Sequence, residues 1–278
     1  MGTLSPQKLR HALMILGIAE SPIVLQLLHL DRSYLFFAFS LAWAVALYTF
    51  IDPPRRALWL GLAVYVLPAA ISVPLLLAWL GPEQDPGLTD GTAALTHQLI
   101  GFVFGVGVRE ELCKTAALFL LLGVGRFSGL RFSSREGLVL GAMSGLAFAA
   151  AENLQAVLNM SHLEEVTLAH GLPANATVAL ALGRLALTPL AHACWSAAVG
   201  YACTVPVGSL PRRVAAIAVA LLTVAFLHGV YDESAALGNR VGVGLLLAVS
   251  FGLVLALSSR PEGNLATNQK SASPLAIE

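Results

Sequence analysis

Four ionisable residues interrupt an apolar stretch of the sequence. Arg109, Glu110, Glu111 and Lys114 lie between "LIGFVFGVGV" and "TAALFLLLGV". Lys114 follows Glu111 by three residues and Glu110 by four, so on a helix its ammonium can reach either carboxylate. The two glutamates point about 100° apart around the helix axis. One can therefore face a reactant, where a desolvated carboxylate can act as a general base, while the other faces a neighbouring helix.

Three further segments carry groups of the same kind. "GLAFAAAENL" contains Glu152, seven residues after Gly145 and so on nearly the same helix face. "LTPLAHACWS" contains His192, and "AFLHGVYDES" contains His228 and Asp232, four residues apart. A carboxylate one turn from a histidine can fix the orientation and tautomer of the ring. Any one of these side chains could simply form a hydrogen bond between two helices. Together they predict one polar site.

The composition indicates where this site must lie. Of 278 residues, 57% are hydrophobic and 12% are charged, whereas about a quarter of a soluble domain is charged. Apolar runs of about 20 residues recur, as in membrane-spanning helices. We predict an all-α, polytopic transmembrane helical bundle of about eight spans, at approximately 9–30, 33–51, 57–80, 95–123, 136–160, 175–206, 212–231 and 240–259. The bilayer is thus its main partner, and the zero net charge gives no reason to expect nucleic acid.

The organisation predicted from these spans is simple. Residues 1–259 form one integral membrane domain with a motif-bearing core at about 95–235, and residues 260–278 form a disordered cytoplasmic tail. The first span also resembles a signal peptide with a cleavage site after Ala19, and both interpretations stay open. In the fifth span, Gly137, Gly141 and Gly145 predict close helix packing, as Gly101 and Gly105 do in the fourth.

The basic residues between the spans predict the orientation. With the N-terminus inside, eleven Lys and Arg residues fall in cytoplasmic segments and only Arg32 and Arg240 fall outside. This bias predicts that both termini face the cytoplasm. Arg109, Lys114 and Arg184 are the basic residues that remain within spans.

The ordered motifs resemble those of the PrsW family of intramembrane proteases, within the CAAX protease and bacteriocin-processing superfamily. "EELCK", "FAAAE", the lone His192 and "HGVYD" fill the family's EExxK, FxxxE, His and HxxxD motifs in order. Lysine in the first motif and glutamate in the second are similar to PrsW and differ from the CAAX branch. The resemblance covers about half of the chain.

This resemblance implies an endopeptidase of the bacterial cytoplasmic membrane. Its substrate would be a single-span, membrane-anchored protein such as an anti-sigma factor, cut in a site-1-type cleavage. One glutamate of the pair would activate water, and histidines would stabilise the oxyanion. The implied catalytic residues are Glu110, Glu111, Glu152, His192, His228 and Asp232, and the supporting residues are Lys114, Phe148 and Arg184.

A metal is left open. Glu152, His192 and His228 could form a three-ligand zinc site with an open position for water, and Glu110 or Glu111 would then be the base. The sequence lacks an HExxH motif, and we favour metal-independent chemistry. His162 and His170, in "HLEEVTLAH", are interpreted as a solvated rim. Two other classes remain as alternatives, a non-catalytic membrane scaffold and a proton-coupled transporter.

Overall fold

The computed structural model describes residues 32–66, 95–127, 129–158, 174–206 and 209–260. Within these ranges every regular element is helical and no strand occurs. The elements are α1 (Arg32–Ile51), α2 (Arg56–Val66), α3 (Leu95–Ile100), a π-helical segment (Gly101–Gly107), α4 (Val108–Phe127), α5 (Ser134–Leu158), α6 (Ala174–Thr204), α7 (Leu210–Ala236) and α8 (Arg240–Ser258).

The all-helical prediction is confirmed for the described residues. From the second span onwards, each predicted span starts within two residues of an observed helix. The first predicted span, 9–30, and the tail beyond Arg260 lie outside the described residues. The crossing of the bilayer by eight spans stays a prediction.

The seventh predicted span ended too early. Helix α7 continues to Ala236, five residues beyond the predicted end at 231. The polar run "DES" continues the helix, and Glu233 is buried within it. The helix ends just before Gly238, whose φ of 67° suits glycine and reverses the chain.

Two helices have surfaces suited to lipid. Among the described residues, α7 and α8 are the helices with both the length and the hydropathy of a membrane span, with mean hydropathies of 2.2 and 2.4. Large apolar side chains on their outer faces are exposed, including Val219, Phe226, Leu245 and Val249. Exposed apolar surface of this extent is unfavourable in water and favourable in lipid.

A seam of small residues brings α5 and α6 together. Cβ atoms built on the three glycines of α5 would collide with backbone carbonyl oxygens of α6, so the two backbones are in direct contact. The pairs are Gly137 with Gly200, Gly141 with Ser196, and Gly145 with His192. The packing predicted for the fifth span is thus confirmed. Because Gly145 contacts the backbone of His192, this seam also sets the height of His192 along α5.

A second close contact joins the π-helical segment to α7. A Cβ on Gly107 would lie 2.6 Å from the Ala225 carbonyl oxygen, and one on Gly229 would lie 2.7 Å from Val103 Cα. Among the described residues, a Cβ on Gly105 would have no heavy atom within 4 Å, so the close packing predicted for Gly105 is not found there. Gly107, in the same π-helical segment, makes the close contact with α7 instead.

A capping box fixes the start of α5. Glu136 Oε2 accepts a hydrogen bond from the Ser133 backbone N–H at 2.8 Å, and Ser133 Oγ accepts one from the Glu136 N–H at 3.3 Å. The Arg56 guanidinium donates through Nη2 to Glu136 Oε2 at 2.8 Å and through Nε to Oε1. This bidentate pair ties the start of α2 to the start of α5.

The seam between α5 and α6 makes a stability prediction. Gly141→Ala places a methyl group against the Ser196 carbonyl, and because backbone cannot yield as a side chain can, the free energy of unfolding should fall by about 1–3 kcal/mol. The measurement is the thermal midpoint and folded yield in detergent. Gly105→Ala adds the same methyl group where no heavy atom of the described residues lies within 4 Å, so this variant should melt like the wild type. Equal midpoints for the two variants would contradict this description of the seam.

Candidate active site

Lys114 forms the centre of a buried ionic cluster. Its Nζ lies 2.8 Å from Glu111 Oε1 and 3.2 Å from Glu110 Oε2, as the spacing along α4 predicts. The lysine side chain is fully buried. Leaving one such charge unpaired in an apolar interior costs several kcal/mol, so the two carboxylates and the ammonium stabilise one another. The cluster is further held to α5, because Ser144 Oγ donates a hydrogen bond to the Lys114 carbonyl oxygen.

His228 on α7 lies among three carboxylates. Its Nδ1 is 3.1 Å from Glu111 Oε1. Its Nε2 is 3.3 Å from Asp232 Oδ2, one helical turn away, and 3.6 Å from Glu110 Oε2. Both ring nitrogens therefore face carboxylate oxygens, which opposes rotation of the imidazole within its own plane.

His192 and Glu152 form a second pair, across the seam between α5 and α6. His192 Nε2 lies 3.2 Å from Glu152 Oε2. The rings of His192 and His228 are nearly perpendicular, with centroids 5.2 Å apart. His192 Nδ1 is buried and has no hydrogen-bond partner within the described part of the chain. The two pairs thus lie next to each other, and His192 keeps one nitrogen free for a reactant.

Aromatic side chains pack against the buried residues of the cluster. The Phe148 ring centroid lies 4.7 Å from Lys114 Nζ and 5.7 Å from the His192 ring centroid. The buried Trp195 stacks on His228, with centroids 4.6 Å apart and an interplanar angle of 26°. The sequence analysis did not select Trp195. Its spacing of three residues from His192, which places both on one face of α6, was the available signal.

The exposure of the side chains shows which side of the cluster is open. Glu111 and both histidines are at most 3% exposed, and Glu110 is 9% exposed. Glu152 and Asp232 reach 23% and 26%. Water and substrate would therefore approach from the side of Glu152 and Asp232.

The structure brings most of the predicted site residues together. The four predicted motifs meet in one place. Contacts of 3.6 Å or less link Glu110, Glu111, His228 and Asp232, and a contact of 3.2 Å links Glu152 to His192. The two groups adjoin at the histidine rings, whose centroids are 5.2 Å apart. Lys114 and Phe148 belong to the same cluster. The side chain of Arg184 and the predicted rim histidines, His162 and His170, lie outside the described residues.

The cluster contains a set of donors suited to a metal ion. One donor atom each from Glu110, His192 and His228 lie within 4.8 Å of one another. This set has Glu110 where the sequence analysis placed Glu152, and Glu152 Oε2 contacts His192 Nε2. Two imidazoles and one carboxylate are ligands that zinc accepts. The surrounding charge also favours a cation, since Glu110, Glu111, Glu152 and Asp232 outnumber the single ammonium. The residues present therefore fit a divalent metal by type, proximity and charge.

Apolar helices that enclose carboxylates, imidazoles and an ammonium are typical of a class of membrane proteins that have a functional polar site within the bilayer. Comparison with family models identifies the particular family. The model described as "PrsW family intramembrane metalloprotease" matches residues 55–258, and the chain belongs to this family. It is thus a membrane peptidase, rather than a scaffold or a transporter. Neither the curated proteins nor the solved structures contain a match to the chain.

The contacts of His228 predict how the protein responds to a chelator. Its Nδ1 faces Glu111 and its Nε2 faces Asp232 and Glu110, so ion pairs alone suffice to hold the ring in place. We therefore expect EDTA-treated protein to keep its thermal midpoint and peptidase activity, as measured by melting and by cleavage in detergent. Emission spectrometry should find no stoichiometric metal in active protein. One zinc per chain, lost with activity on chelation and restored with it, would contradict this expectation, and His192→Ala would then be the control that binds no zinc.

Proposed function

We propose that this chain is an intramembrane endopeptidase in which Glu110 activates water for attack on a peptide bond of a membrane-anchored protein. One observation carries the proposal. Glu110 Oε2 lies 3.6 Å from His228 Nε2 and 3.2 Å from Lys114 Nζ, in a group where Glu110, His192 and His228 converge within 4.8 Å. A base, a balancing cation and two imidazoles are thereby directed at one small volume.

Exposure separates the roles of the two adjacent glutamates. Glu111 is 1% exposed, and its Oε1 is held by both Lys114 and His228. Glu110 is more exposed, and its Oε2 has ion-pair contacts but no hydrogen bond among the described residues. Glu110 is therefore the carboxylate available to a water molecule, and Glu111 is a positioning residue that holds Lys114 and His228.

The reaction then follows from the placement of these groups. Glu110 accepts a proton as the water oxygen bonds to the scissile carbonyl carbon. The carbonyl oxygen becomes an oxyanion, which N–H groups of His192 and His228 stabilise. Glu110 returns the proton to the leaving amine as the C–N bond breaks. Asp232 orients His228, and Glu152 orients His192, through the contacts of 3.3 Å and 3.2 Å.

A second version of this chemistry uses the same side chains. Glu110, His192 and His228 would hold a divalent metal, which when bound would supply Lewis-acid polarisation of the carbonyl. Glu110 would then be a ligand. Glu152 would be the neighbouring carboxylate, partly exposed and so placed to accept the proton from water. The donor set and the excess of carboxylates favour this version, and the occupied nitrogens of His228 favour the first.

The substrate we propose is a single-span membrane protein, for example an anti-sigma factor that is cut in a site-1-type cleavage. The enzyme would be a multi-pass protein of the bacterial cytoplasmic membrane, with eight spans and both termini inside. In this orientation α5 and α7 run outward. Glu152, the nineteenth residue of α5, would lie about 27 Å along the helix from its inner end. The open side of the site would thus face the outer half of the bilayer.

Glutamine substitution tests the division of roles between the glutamates. Glu110→Gln keeps the shape of the side chain but removes the base, so cleavage should fall by at least about a hundredfold with the thermal midpoint retained. Glu111→Gln should lower both the cleavage rate and the thermal midpoint, because it weakens a buried ion pair. The assay is cleavage of a labelled single-span substrate in vesicles, with His162→Ala as a control that stays active. A fully active Glu110→Gln protein would exclude Glu110 as the base or as an essential ligand.

Reporter fusions test the proposed orientation. Asp85 lies in a predicted outer loop and Ser133 in a predicted inner one, so fusions at these positions should report opposite sides of the membrane. Fusion after Ser258 should agree with Ser133. Reporters at Asp85 and Ser133 on the same side would contradict the eight-span topology without changing the site itself.

A further inference from the structure

Trp195 connects the reactive cluster to a helix that contributes no reactive group. Its indole stacks on His228, and its Nε1–H donates a hydrogen bond to Ser250 Oγ of α8 at 3.0 Å. We propose that Trp195 and Ser250 act as a positioning pair, which fixes the tilt of the His228 ring for the oxyanion. Neither residue belongs to the motifs that define the site.

The hydrogen bonds of Ser250 show that Trp195 is the donor and Ser250 the acceptor in this pair. Ser250 Oγ–H donates to the Leu246 carbonyl oxygen of its own helix at 2.7 Å. Its single hydrogen is thereby used, and the oxygen lone pairs face the indole N–H. Both Trp195 and Ser250 are at most 2% exposed, so water does not compete for this bond. The indole is therefore held by a buried, satisfied hydrogen bond.

The carboxylates around His228 leave the imidazole able to tilt, and the stacked indole restricts this motion. Glu111 and Asp232 lie opposite the two ring nitrogens and oppose rotation of the imidazole within its plane. They restrict tilting about the axis through those nitrogens much less. The stacked indole, 4.6 Å away, covers one face of the ring and limits this tilt. Tyr231 in turn meets the indole edge-on at 5.6 Å, which fixes the indole itself.

The position of the ring matters because oxyanion stabilisation depends on geometry. An N–H donor stabilises the oxyanion only when it lies at the place where negative charge develops. Loss of a buried hydrogen bond that maintains this position should cost about as much as one ordinary hydrogen bond, which corresponds to roughly three- to tenfold in rate. Substrate binding, which relies on other surfaces, should change little.

Substitution at both ends of the hydrogen bond tests the pair. Ser250→Ala removes the acceptor, and Trp195→Phe removes the donor while it keeps an aromatic face. Each should lower kcat roughly three- to tenfold with KM within about twofold, per amount of folded enzyme. Ser250→Thr, which restores a hydroxyl group, should recover kcat. Ser258→Ala is the matched control, because the Ser258 hydroxyl bonds only a carbonyl of α8 among the contacts described, at 2.9 Å.

The double variant separates positioning from a general loss of packing. Since both substitutions break the same bond, Trp195→Phe with Ser250→Ala should be no slower than the slower single variant. Multiplied effects, unchanged kcat in both single variants, or no recovery with Ser250→Thr would each overturn the pairing. If one variant fails to fold, the other single variant still carries the comparison with Ser258→Ala.

This inference rests on the proposed function. The same assay distinguishes a failure of the proposed function from a failure of the positioning pair alone. Absence of cleavage by the wild-type chain would overturn both. Cleavage by the wild type that is matched by Ser250→Ala and Trp195→Phe would overturn only the positioning pair.

Discussion

The buried ammonium of Lys114 is the constraint on which the rest of the structure depends. A charge in an apolar interior must be compensated, because the loss of hydration costs more than most single contacts return. Lys114 obtains two carboxylates from its own helix, and one of these, Glu111, also contacts His228 on α7. The ion pairs thereby link α4, which carries the two glutamates, to α7, which carries His228. The contact between Glu111 and His228 holds these two helices side by side within the cluster.

Backbone contacts supply the short distances that the ion pairs require. The α5–α6 seam and the contact between the π-helical segment and α7 both involve glycine, where a side chain would separate the helices. Each lies next to a histidine of the site, Gly145 against the backbone of His192, and Gly229 directly after His228. Helix packing in a membrane relies on such contacts, because lipid offers no hydrophobic drive to bring helices together. The close helix contacts and the histidines of the site therefore lie on the same few helical turns.

The site divides into a locked inner part and an open outer part. Glu111, Lys114 and Trp195 are buried, and each has defined partners. Glu152 and Asp232 are partly exposed, at the side from which a substrate would enter. Such a division suits hydrolysis within a bilayer, where the reactive groups must keep their geometry while water and a polar peptide bond come to them. Glu110, which is buried but less completely so than Glu111, lies between these two parts.

The sequence by itself determined the all-helical class of the described residues, the family, and the charged contacts within α4 and within α7. Helical spacing makes Lys114 reach both glutamates and Asp232 reach His228, because residues three and four apart lie on one face. The tertiary structure decided which glutamate stays accessible, that Glu152 contacts His192 while Glu110 joins the possible metal donors, and that Trp195 covers His228. These facts depend on the rotation of each helix about its axis and on its height beside its neighbours. Both are set by glycine contacts between backbones and by a π-helical turn, and a pattern of residue types along one helix does not specify them.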